Sequence, residues 1–127
     1  MKILLDTHLL LWAALGDLPP KAVSYMEDKT NILLFSSASI WEVVIKSGLG
    51  REDFVVEPAS LYSGLLSAGY QELPVTSRHS LLVATLPPLH KDPFDRILLA
   101  QSMSEGVPLL TIDRILTQYK SSVIYVG

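Results

Sequence analysis

A chain of 127 residues has room for one domain with a real hydrophobic core, spanning residues 1–127. It has no cysteine, which excludes disulfides, thiolate metal sites and cysteine nucleophiles and fits a reducing, cytoplasmic compartment. A net charge of −3 excludes a global field that attracts nucleic acid, so any such contact needs a local patch.

The opening "KILL" is a short apolar run ending at Asp6 and reads as a buried strand. Asp6 and His8 interrupt the apolar start, no small-residue cleavage site follows, and the segment reads as structure rather than a leader. "THLLLWAALGD" continues as a helix stopped by Gly16, and "LPPKAVSYMEDK" begins a short helix on its prolines. "NILLFSS" is a second buried strand. "SASIWEVVIKSGLG" is a helix with serine at its start and glycines after its end. "REDFVVEP" reads as a loop, "PASLYSGLLSAGY" as a helix, "QELPV" as a link or short strand, and "TSRHSLLVATLPP" as a helix stopped by prolines. "DPFDRILLAQSMSEG" is a helix ended by Gly106, "VPLLTI" a third strand, "DRILTQY" a helical turn and "SSVIYV" a last strand. Strands alternate with helices, which predicts an α/β/α sandwich on a mostly parallel sheet. A sheet buried on both faces accounts for 49% hydrophobic residues and a mean hydropathy of +0.35; so does an apolar surface that a partner covers. No apolar stretch approaches the ~20 residues of a membrane span.

The thirteen acids separate by context. Asp17, Glu27, Asp28, Glu52, Asp53, Glu57, Glu72 and Glu105 lie in polar or Gly- and Pro-flanked stretches and read as solvated surface. Asp6 and Asp113 each end a strand and open a helical segment. That is the edge where open α/β sheets bind ligands, and also where a helix wants an N-cap. Glu42 has Ala38, Ser39, Ile45 and Lys46 at helical spacing. It either pairs with Lys46 on a wet face or turns into a polar pocket. Asp92, before Pro93, reads as the N-cap of its helix. Asp95 is one turn in, beside Leu98, Leu99 and Ser102. A buried, ionised carboxylate there needs a partner or a cation. Hard divalent cations such as Mg²⁺ or Mn²⁺ take oxygen ligands, and carboxylates gathered without one would repel each other.

"LLDTHLLLW", "SSASIWEVVIKSGLG", "DPFDRILLAQS" and "LLTIDRIL", in this order, resemble the PIN-domain family, in particular the VapC-like toxins of type II toxin–antitoxin pairs. The resemblance spans almost the whole chain. It implies a parallel sheet flanked by helices, and an acidic quartet at Asp6, Glu42, Asp95 and Asp113 that is both catalytic and metal-binding. It further implies an Mg²⁺- or Mn²⁺-dependent ribonuclease, an antitoxin partner and a homodimer. On that reading a metal-activated water cleaves the RNA phosphodiester.

Lys46, Arg51, Lys91, Arg96 and Arg114 flank these motifs and are candidates for phosphate contact, with Arg96 and Lys46 foremost; each is also an ordinary solvated cation. Thr7, Thr111 and Asp92 are candidates to orient the carboxylates. His8 falls at the expected pocket rim, His79 and His90 read as surface or loop, and His90 lies near the expected substrate. Trp12, Trp41, Tyr62 and Phe94 read as core. The helices holding "THLLLWAAL" and "PASLYSGLLSAGY" are apolar enough for a dimer or antitoxin groove. Two other readings stay open. One is a different metal-dependent phosphohydrolase on a doubly wound sheet, for which the usual late-strand lysine is replaced by Asp113. The other is a non-catalytic metal- or nucleic-acid-binding module.

Overall fold

A computed structural model describes residues 1–52, 54–119 and 121–127; Asp53, read above as surface, lies outside them. Five strands form one parallel sheet: β1 (Lys2–Leu5), β2 (Ile32–Ser36), β3 (Gln71–Leu73), β4 (Leu109–Thr111) and β5 (Val123–Tyr125). Their spatial order is β3-β2-β1-β4-β5. Among the described residues, six helices cover the sheet: α1 (Thr7–Leu15), α2 (Pro20–Met26), α3 (Ser37–Gly48), α4 (Pro58–Ser67), α5 (Ser77–Val83) and α6 (Pro93–Glu105). A 3₁₀ turn, Arg114–Gln118, joins β4 to β5.

The two-residue period of the strands divides the core. Ile3 and Leu5 of β1, Leu33 and Phe35 of β2 and Leu110 of β4 face one layer, with Leu9, Leu10, Leu11, Leu61 and Leu65 of α1 and α4. Leu4, Leu34 and Leu109 point the opposite way, onto Leu98, Leu99 and Ala100 of α6. With both faces covered, the central strands can be continuous apolar runs, which accounts for much of the hydrophobic composition. The surface adds to it as well. Trp41 is 62% exposed, and Leu49, Val55 and Leu81 are exposed too. Trp41 is therefore no core residue, and Tyr62 is also exposed.

The ends of α1 and α6 follow the sequence signals, whereas α3 runs on through Gly48 and is capped by Leu49. Gly16 and Gly106 cap α1 and α6 in the left-handed conformation, with φ of 73° and 66°, which glycine adopts without steric cost. No helix among the described residues is long and apolar enough to cross a membrane.

The chain leaves β1 through α1 and α2 to reach β2 on one side, and returns through α6 to β4 on the other. Between the carboxyl ends of β1 and β4 the direction of winding reverses. A crevice opens at such a switch point, and ligands bind there.

Candidate metal centre

Asp6 ends β1 at this crevice. Its Oδ1 accepts the Leu9 amide at 2.9 Å and so caps α1. Its Oδ2 accepts the Thr111 hydroxyl at 2.6 Å and the Ile112 amide at 3.0 Å, tying β1 to the end of β4. The carboxylate is buried, and burial raises its pKa despite the bonds from Thr111, Leu9 and Ile112.

Glu42 comes from the middle of α3, whose start is capped by Ser36 through the Ala38 amide at 3.0 Å. Only 2% of Glu42 is exposed. Its Oε2 pairs with Lys46 Nζ at 2.6 Å, one helical turn on, so it is both paired and turned inward. Its Oε1 is buried with no hydrogen-bond partner among the described residues. Burial works to lower the Lys46 pKa, but the bond to Glu42 and the charges of Glu42 and Asp92 outweigh it, and the net shift is upward.

Asp92 Oδ1 accepts the Phe94 amide at 2.9 Å and caps α6, with Pro93 at the first helical position. Its Oδ2 lies 3.6 Å from Lys46 Nζ. Asp95, at the third helical position, points into the crevice. Desolvation first, and then the charges of Asp92, Asp6 and Glu42, push its pKa up to about 7, against the opposing charge of His90. Five carboxylates from four chain segments thus act on one small volume. Asp113 completes the rim: its Oδ1 caps the 3₁₀ turn through the Ile115 amide at 2.9 Å, and its amide bonds Thr111 Oγ1 at 3.0 Å.

The structure adds His90, which the sequence reading left in a loop near substrate. Its Nε2 lies 2.5 Å from Asp113 Oδ2 and 3.2 Å from Asp95 Oδ2. Its Nδ1 accepts the Asp92 amide at 3.0 Å, so Nε2 carries the hydrogen that it shares with the two carboxylates. Facing ligand atoms of His90, Asp95 and Asp113 lie within 4.8 Å of one another. Asp6, His8, Lys46, Arg51, His90, Asp92, Asp95, Asp113 and Arg114 share a cavity of about 430 Å³.

Several expected roles move. Arg96 does not face the cavity. Its guanidinium donates to the carbonyls of Val83 (3.1 Å), Leu86 (3.3 Å), Pro87 (3.0 Å) and His90 (3.4 Å), and to the Tyr119 hydroxyl (3.3 Å). It fastens the loop that delivers His90, and its donors are spent there rather than on a phosphate. Thr7 donates to Ser39 Oγ at 2.9 Å, not to a carboxylate, and so joins α1 to α3. Thr111 does orient Asp6. His79 is buried, not superficial: it forms a capping box with Thr76, and its Nε2 meets Glu105 at 2.9 Å.

The donor set fits a hard divalent ion. It is rich in carboxylates, two of them with pKa raised chiefly by burial, and it holds an orphaned oxygen on Glu42.

The fold is shared with solved structures. VapBC2 from Rickettsia felis, bound to a DNA fragment from its promoter, superposes with a TM-score of 0.76 at 15% identity over 100% of both chains. DNA-bound VapBC from Salmonella typhimurium gives 0.72 at 12% identity, over 100% of this chain and 99% of that one. The sarcin-ricin loop cleaving toxin VapC20 from Mycobacterium tuberculosis gives 0.57 at 18% identity, over 84% and 86%. No curated protein matches in sequence. The PIN domain family matches residues 3–121, a span that takes in every acid of the crevice. From the buried end of β1 to the segment beyond the 3₁₀ turn, this chain belongs to the PIN domain family.

Proposed function

We propose that the chain, as one domain, is a metal-dependent endoribonuclease, the toxin of a type II toxin–antitoxin pair acting in the cytoplasm. The observation that carries this reading is the convergence of Asp6, Glu42, Asp95 and Asp113 at the switch point of a PIN domain, with raised carboxylate pKa values that call for a cation. Asp6, Glu42 and Asp95 would hold Mg²⁺ or Mn²⁺, with Asp113 completing the set. When bound, such an ion supplies Lewis acidity, activating water at neutral pH and offsetting charge on the phosphoryl group.

The chain's own residues prepare that chemistry. Thr111 and the Ile112 amide fix the Asp6 carboxylate, so it need not reorganise when a cation or substrate arrives. His90 holds Asp95 and Asp113 together through one N–H. Lys46, Arg51 and Arg114 line the same cavity, and Arg51 and Arg114 at its mouth offer positive charge to an RNA backbone. Attack by water rather than by the RNA 2′-hydroxyl leaves 5′-phosphate and 3′-hydroxyl ends.

An antitoxin is the partner this reading requires, and solved structures of similar fold are toxin–antitoxin complexes. A groove of about 400 Å³ between α1 and α4, lined by Ala13, Leu61, Gly64, Leu65 and Tyr70, suits an apolar helix. The exposed Trp41, Val44 and Ile45 of α3 offer a face for a homodimer.

Incubating purified, antitoxin-free protein with a mixed RNA pool tests the reading. Cleavage with Mg²⁺ or Mn²⁺, lost in chelator and in Asp6→Asn with the fold intact, is expected. Undiminished cleavage by Asp6→Asn, or turnover of phosphomonoesters alone, would overturn it.

A further inference from the structure

Lys46 is not an ordinary surface partner of Glu42. An exposed i, i+4 pair is loosely held and worth little. Here the side chain is only 15% exposed, and the ammonium is enclosed on four sides. Glu42 Oε2 stands at 2.6 Å and Asp92 Oδ2 at 3.6 Å. The rings of Phe54 and Phe94 lie with their centroids 5.1 and 5.8 Å from Nζ. A lysine ammonium is a compact point charge, so this is a cation held at a fixed position inside the acid cluster.

That position divides the carboxylates. Glu42 Oε2 and Asp92 are taken by Lys46, while Asp95 and Asp113 gather on His90, and Asp6 is anchored by Thr111. The buried Glu42 Oε1 has no partner among the described residues. Two-metal nucleases need room for two ions about 4 Å apart, each with its own carboxylates. We propose that Lys46 is the resident second cation of this site, so that the chain binds a single divalent ion and the ammonium supplies the charge that another would bring.

The inference rests on the reading of the crevice as a metal centre, and calorimetric titration of the folded full chain with Mn²⁺ separates the two. The expected result is one ion per chain in the wild type, one in Lys46→Arg, and two in Lys46→Met. Two ions in the wild type, or one in a folded Lys46→Met, overturns the role of Lys46 and leaves the metal centre standing. No ion bound by the folded wild type overturns the metal centre itself. The wild-type stoichiometry decides even where a variant fails to fold, because it alone distinguishes one site from two.

Discussion

Asp95→Asn in metal-free protein measures how hard the crevice resists its own charge. The Asp95 pKa rises from 3.8 to about 7, chiefly through desolvation, so folding disfavours its ionised form. A carboxyl with a raised folded-state pKa binds its proton more tightly in the native chain than in the unfolded one. Its contribution is therefore fully present below pH ~4, falls as pH rises, and levels off above pH ~7. At 1.36 kcal/mol per unit, the cost at pH 8 is about 4 kcal/mol, of which roughly 2 to 3 kcal/mol accrues between pH 5 and pH 8. In a domain of this size that is on the order of 10 °C in Tm. Thermal unfolding in chelator should thus show the wild type losing about 10 °C more than Asp95→Asn between pH 5 and pH 8, with the variant the more stable at pH 8. Added Mg²⁺ should restore the wild type at pH 8 by binding only the native state, and leave the variant nearly unmoved. Parallel pH profiles for the two proteins in chelator would refute the reasoning, as would a wild-type Tm at pH 8 that Mg²⁺ does not raise.

Arg96→Ala should lower stability by about 2 kcal/mol, read by urea unfolding, because its carbonyl partners lose a charged donor. The salt dependence of RNA binding should keep its slope, since the Arg96 guanidinium is engaged by backbone carbonyls; a flatter slope would restore it to the RNA interface. Thr111→Val removes the 2.6 Å bond to Asp6 and should cost roughly 1.5 to 3 kcal/mol in thermal stability, with weaker Mn²⁺ binding by calorimetry. Asp92→Ala should cost about 1 kcal/mol for the lost α6 cap, measured by chemical denaturation, and a cost near zero would deny Asp92 the capping role.

The parts of the site that were readable from the residues alone are those whose role is local. Asp6 and Asp113 stand where an apolar strand gives way to a helical segment, and an acid there is pinned to the sheet edge by chain geometry. Asp95 interrupts an apolar helical run, where a buried carboxylate needs a partner or a cation, while Glu42 read equally as a surface partner of Lys46 or as turned into a polar pocket. Asp92 announces itself by the proline that follows. The bonds of His90 to the acids and the lodging of Arg96 were not legible because both depend on contacts made across the fold. His90 reaches Asp113 across 23 residues, and the loop that carries it is held by Arg96 and by the Tyr119 hydroxyl. Arg96 is next to Asp95 in sequence, yet one residue of helix turns it about 100° away, toward the end of α5. His79 did carry a signal. It stands three residues after Thr76, where a capping box places its reciprocal partner, although that partner is usually Glu or Gln. Trp41 went wrong for a different reason: its size argues for the core, but α3 turns it outward.

The bond between Thr111 and Asp6 joins residues 105 positions apart, and β4 lies directly beside β1 in the sheet. The crevice is thus split across time as well as sequence. A ribosome emits β1, α1, α2, β2 and α3 long before β4, and during that interval Asp6 lacks Thr111, the Ile112 amide and Asp113. Closure of so long a loop also makes the β1–β4 pairing a late step. A nascent chain therefore displays its first acids without assembling them, and the crevice is complete only once β4 has emerged.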